Sequence, residues 1–154
     1  MRYDVVVAFA GGLPPELETN VKIAERASWL GYALNLPVFG EGALPKCHAN
    51  IQLAPKEKSP TTIKFVERFA EEAKKRGWKS TLVVATPYYD ARAARDLRMF
   101  GFEAKVDKHL RHALLRPYNK HSQQWRNRHA IIFWPREVLL RLLPWRIYKW
   151  AATR

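Results

Sequence analysis

The residues of this chain that could do chemistry gather just after its short apolar runs. Gly11 and Gly12 follow the first run. Gly40, Glu41 and Gly42 follow the second, and Lys56, Lys58, Ser59, Thr61 and Thr62 the third. Thr86, Tyr88, Tyr89 and Arg92 follow the fourth; Lys108, His109, Arg111 and His112 follow the fifth. Glycine allows close backbone approach, hydroxyls donate, and helix N-termini add partial positive charge. Such a set suits a phosphate or a carboxylate.

Each piece also has a purely structural reading. The stretch from Lys56 through Ser59-Pro60-Thr61-Thr62 would aim hydroxyls, amides and two lysines one way, yet serine followed by proline is also an ordinary helix start. Gly11-Gly12 lacks the G-x-G-x-x-G spacing, and a tight turn accounts for it. Tyr88 and Tyr89, with Arg92 one helical turn on, would sandwich a planar or anionic ligand, or one tyrosine would fill the core. Glu41, between two glycines, is placed to hold a ribose hydroxyl or act as a base, or is a simple turn acid. His109 and His112 stand at i,i+3 without acidic or cysteine partners, a poor metal set. Cys47-His48 are neighbours in sequence, which rarely gives nucleophile-and-base geometry. No catalytic constellation stands out.

The elements that must position these residues follow from periodicity. Tyr3 to Ala10 is a β-branched apolar run, expected as a strand buried on both faces. Glu16 to Leu34 has helical spacing through Leu17, Val21, Ala24, Ala27, Leu30 and Leu34. Leu36 to Phe39 and Asn50 to Ala54 read as short strands. A helix is expected from Ser59 to about Arg76, closed by Gly77. Thr81 to Ala85 is a strand, Tyr89 to Phe100 a helix of mixed character, and Phe102 to Val106 a fifth strand. This alternation predicts a mainly parallel five-stranded α/β sheet with helices on both faces. Residues 107–124 read as a surface connection. From Trp125 to about Trp150 the pattern is helical again, broken at Pro135 and Pro144.

Composition bounds the function. The chain has 154 residues, 27 Lys+Arg and 14 Asp+Glu, for a net charge of +13. That length suits one domain over 1–154, and 47% hydrophobic residues exclude a disordered basic tail. One cysteine excludes an internal disulfide framework and fits a reducing compartment. The charge is uneven: residues 105–154 hold 12 Lys+Arg against two acids, and four of the six tryptophans. That basic ending could cover the sheet through Val138, Leu139, Leu142 and Leu143. It could instead meet an anionic membrane surface through Arg136, Arg141, Trp145, Arg146 and Lys149. Nucleic acid is a further anionic partner, though no recognised motif supports it. Neither a signal peptide nor a membrane span is legible, so the expected address is cytoplasmic or peripheral to a membrane.

Several of these pieces together resemble the YdcF-like family (domain of unknown function 218). Asp4-Val5-Val6-Val7 to Gly11-Gly12-Leu13-Pro14 is similar to its opening strand and glycine turn, and Ser59-Pro60-Thr61-Thr62 to its Ser/Thr-rich segment ahead of a helix. The most specific match is Leu82-Val83-Val84-Ala85-Thr86-Pro87-Tyr88-Tyr89-Asp90-Ala91-Arg92-Ala93, continued by Gly101-Phe102-Glu103-Ala104. Tyr89 stands where the family commonly has histidine. The ending around Glu137 to Trp150 resembles the closing helix. The resemblance implies a Rossmann-like three-layer sandwich with a C-terminal basic helix. It further implies a nucleotide or S-adenosylmethionine-type ligand at the strand ends, or an envelope-related role.

Overall fold

Valine-rich segments make the strands at the centre of the molecule, because β-branched side chains fit a pleated surface covered on both sides. A computed structural model describes residues 3–46, 48–55, 61–87, 89–112, 120, 121, 123 and 129–153. In chain order its elements are β1 (Val5–Ala8), α1 (Glu18–Leu34), β2 (Val38–Gly40), β3 (Ile51–Leu53) and α2 (Thr62–Arg76). There follow β4 (Ser80–Val84), α3 (Asp90–Met99), β5 (Glu103–Val106), α4 (His109–His112), α5 (Ala130–Leu142) and α6 (Trp145–Thr153). The five strands form one sheet, ordered β3-β2-β1-β4-β5, with every pairing parallel. The expected order and type of the first eight elements, and the Rossmann-like α/β architecture, are as found.

Alternation along the strands assigns the two faces. Val5, Val7, Phe9, Phe39 and Val83 point to α2 and α3, meeting Phe65, Val66, Phe69, Ala93, Ala94 and Leu97. Val6, Ala8, Val38, Leu82 and Val84 point the other way, to Ile23, Ala24, Ala27 and Leu30 of α1 and Leu110 of α4. Polar ties lock the register. The carboxylate of Asp4 accepts from the Lys79 and Ser80 amides, 2.8 Å each, so the start of β1 is held to β4. Arg26 reaches from α1 to Asp107 past β5 with two bonds of 2.8 and 3.1 Å.

Three details correct the expectations. The N-cap of α2 is Thr61, whose side chain accepts from the Lys64 amide at 3.3 Å; Ser59 lies outside the described residues. Pro135 does not break the C-terminal segment but sits inside α5, and the break falls at Leu143-Pro144. The segment does not cover the sheet: Val138, Leu139 and Leu142 are exposed. Instead Leu140 and Tyr148, with Leu143 and Trp145 beside them, close over Ile63 of α2 and against Phe100. The sheet face there already belongs to α2 and α3, so α5 and α6 stack outside those helices.

That extra layer explains α3. Its inner face is Ala93, Ala94 and Leu97 on the sheet, while its outer face carries Arg92 and Asp96, which α5 and α6 bury. Charged groups there need partners inside the protein.

Candidate ligand site at the strand ends

The sheet reverses its winding between β1 and β4. From β1 the chain turns through α1 toward β2; from β4 it turns through α3 toward β5, and α1 and α3 lie on opposite faces. A crevice at the carboxyl ends of such a pair of strands is where open α/β sheets bind ligands.

The loop after β1 passes this edge at Gly11, where Thr19 and Thr86 crowd the backbone. A Cβ on Gly11 would stand 2.9 Å from the Thr19 and Thr86 methyl carbons, so only glycine admits so close an approach. Gly12 follows with φ of 138°, a region open to glycine. Asn20 of α1 shapes the turn. Its Oδ1 accepts from the Gly11 amide at 2.8 Å, and its Nδ2 donates to the carbonyls of Gly12 at 2.9 Å and Pro14 at 3.1 Å. The Glu41 carboxylate, after β2, accepts from the Ala10 amide at 2.9 Å. Gln123 donates its amide to the Leu13 carbonyl, so the chain returns to this same edge.

On the β4 side, Thr86 is buried and its carbonyl accepts from the Asp90 amide. Asp90, also buried, is the first residue of α3; its carboxylate accepts from the Ala91 amide and binds the Arg111 guanidinium at 2.9 Å. Tyr89 packs edge-on against Phe9, and its hydroxyl bonds that of Thr62. Burial pushes the Tyr89 phenol well above its ordinary range, so it stays protonated. Through this contact the N-terminus of α2, with Thr61 and Thr62 half-buried, is held beside the ends of β1 and β4. The acid at the start of α3 offsets that helix's positive end, whereas the first turn of α2 carries no acid.

The strand-end set predicted from sequence is therefore partly gathered. Gly11, Gly12, Thr61, Thr62, Thr86 and Tyr89 share the β1–β4 edge, and Glu41 braces it. Gly40 is a packing residue: its Cβ would meet Ile51, Leu53 and Leu44 at 2.9 to 3.1 Å. Tyr88, Lys56 and Lys58 lie outside the described residues, as does Cys47.

Arg92 has a different anion from the one expected. It is 6% exposed, and its Nε donates to both carboxylate oxygens of Glu137, the nearer at 3.0 Å. Its NH1 donates to the Tyr148 hydroxyl at 3.2 Å, and that hydroxyl donates to Asp96. Burial pushes the Tyr148 phenol up to about 12. Arg141, exposed, adds a bond to Glu137 at 3.3 Å. This cation therefore clamps α5 and α6 to α3, and does not open onto the strand ends.

Two of the residues expected to meet a membrane, Trp145 and Lys149, are engaged within the protein. Trp145 turns inward against Phe100 and Tyr148, with ring centroids 5.9 and 5.6 Å apart. Lys149 pairs with Glu67 at 3.0 Å, while Arg146 is exposed and Arg136 half-buried. Among the described residues no three His, Cys, Asp or Glu are placed to hold a metal ion.

Two contributors escaped the sequence reading. Asn20 lies on the apolar stripe of α1, three residues from Leu17 and four from Ala24; a polar residue on such a stripe is a legible sign of a buried, bonded side chain. Asp90 carried no local sign, because its partner Arg111 is 21 positions away. No protein-family model, no curated protein and no solved structure matches this chain.

Proposed function

We propose that this chain is a YdcF-like Rossmann-type domain that binds a small phosphate-bearing anion, such as a nucleotide, at the β1–β4 strand ends. The observation that carries this reading is the meeting of Gly11, Thr86 and the α2 N-terminus at the point where the sheet reverses its winding. Hydroxyls of Thr61 and Thr62, the first amides of α2 and the Arg111 guanidinium are the donors. They match phosphate oxygens better than the cationic sulfonium of S-adenosylmethionine, which favours phosphate over that cofactor. The Glu41 carboxylate stands where a dinucleotide fold holds a ribose hydroxyl, and here it also fixes the β1 loop.

Thermal denaturation with nucleotides, S-adenosylmethionine, sugar phosphates and inorganic phosphate tests this. A ligand at 100 times its Kd stabilises the fold by ~2.7 kcal/mol, which raises Tm by roughly 5 °C or more. Thr61→Ala and Arg111→Gln should each reduce that rise. If no phosphate compound shifts the melting curve, or both variants keep the full shift, the site lies elsewhere.

A further inference from the structure

Helix α5 is apolar on two opposite sides. One side, Phe133 and Leu140, is buried with Glu137 between them. The other is Ile131, Pro135, Val138 and Leu142, spaced four, three and four residues apart, so that they stack along one stripe, with Leu139 at its margin. Ile131 is 83% exposed and Leu142 76%, and Val138 and Leu139 are both more than half exposed. A helix apolar on both sides needs cover on both.

The stripe itself holds no charge, and its surroundings are basic. From residue 129 to 154 the chain has five Lys+Arg and one acid, Glu137, which is 1% exposed and already bound by Arg92 and Arg141. Arg136 and Arg141 flank the stripe by helical spacing, and α6 adds exposed Arg146, Ile147 and Trp150.

We propose that this face of α5 docks on an anionic phospholipid surface, the helix lying in the interface plane. Acyl chains cover Ile131, Val138 and Leu142, while headgroup phosphates meet the arginine margin. A second copy of the chain fits less well, because a two-fold contact would bring arginine margins together with no exposed acid in the segment to pair them. Nucleic acid fits less well again, because the stripe presents no cation to a phosphate backbone. Among the described residues no helix is long and apolar enough to cross a membrane, so the geometry is that of a helix lying on the bilayer. This inference is independent of the strand-end site.

Flotation of the full chain tests it, with phosphatidylcholine vesicles that contain or lack phosphatidylglycerol. Binding should be at least ~10-fold stronger with the anionic lipid and should weaken as salt is added. The double variant Val138→Ser, Leu142→Ser should keep its melting temperature and lose ~10-fold or more of the binding. Arg146→Glu should weaken binding to anionic vesicles only. The proposal is overturned if the wild type does not float, or if the double variant floats equally well. It is also overturned if gel filtration shows a dimer that the double variant dissolves while neither protein floats, which would assign the face to a second copy.

Discussion

Arg92 illustrates how a residue's role depends on what arrives from far along the chain. Beside Tyr89, at the start of a helix after a strand, it has the position of a ligand-binding cation. Glu137, 45 residues on, fills that role from within the chain. Removing one partner of a buried pair leaves the other charge unmatched, so Glu137→Ala should cost ~3 to 5 kcal/mol in a urea titration. Replacing both, Arg92→Met with Glu137→Met, should cost less than that single change, since two apolar side chains leave no orphan charge. Asp96 supplies a pH test. Burial raises its carboxyl above the ordinary 3.8, against the lowering pull of Tyr148, Arg92 and Arg95. Between 3.8 and that raised value the folded chain holds a proton the unfolded chain has released, so this group's contribution is fullest below 3.8 and is lost as pH climbs through the window. Asp96→Asn has no such proton. Its stability relative to the wild type should therefore rise across that window, and a flat difference from acid to neutral pH would contradict this.

Proline placement decides the element scale. Pro135 should end a helix, because it lacks an amide and its ring crowds the carbonyl four residues back. That carbonyl belongs to Ile131, on the exposed side of α5, where water satisfies it while that face is free of lipid. The buried side keeps its bonds, and packing of Phe133 and Leu140 offsets the loss. Pro135→Ala should accordingly stabilise the protein by ~1 to 2 kcal/mol, measured by thermal melting, with the fold unchanged. The cap of α2 is a smaller case. Both Ser59 and Thr61 are acceptable capping residues, and local sequence cannot rank them; Thr61→Ala should cost ~1 kcal/mol and Thr61→Ser little.

The whole molecule is an α/β sandwich with its basic ending stacked outside α2 and α3. Because Glu137, Tyr148 and Leu140 are buried against α2 and α3, the ending should unfold with the body. Far-ultraviolet circular dichroism and tryptophan fluorescence should trace one urea transition in the wild type, and Glu137→Ala should separate them. The local pattern of residues by itself determined the parallel sheet, the order of its elements and the edge where the glycines and hydroxyls gather. Period-two and helical spacing, valine runs and glycine punctuation are short-range properties that a chain carries wherever it folds. Only the tertiary structure decided which cations and acids find one another. Arg92 with Glu137 and Asp90 with Arg111 are joined by topology, not by spacing. It also decided which side of α5 stays exposed, because α2 and α3 had already claimed the sheet face that Val138, Leu139 and Leu142 were expected to cover. A long-range pairing has no local signature, so the charge that marks the ending in the sequence divides in the fold between an internal clamp and an outward-facing margin.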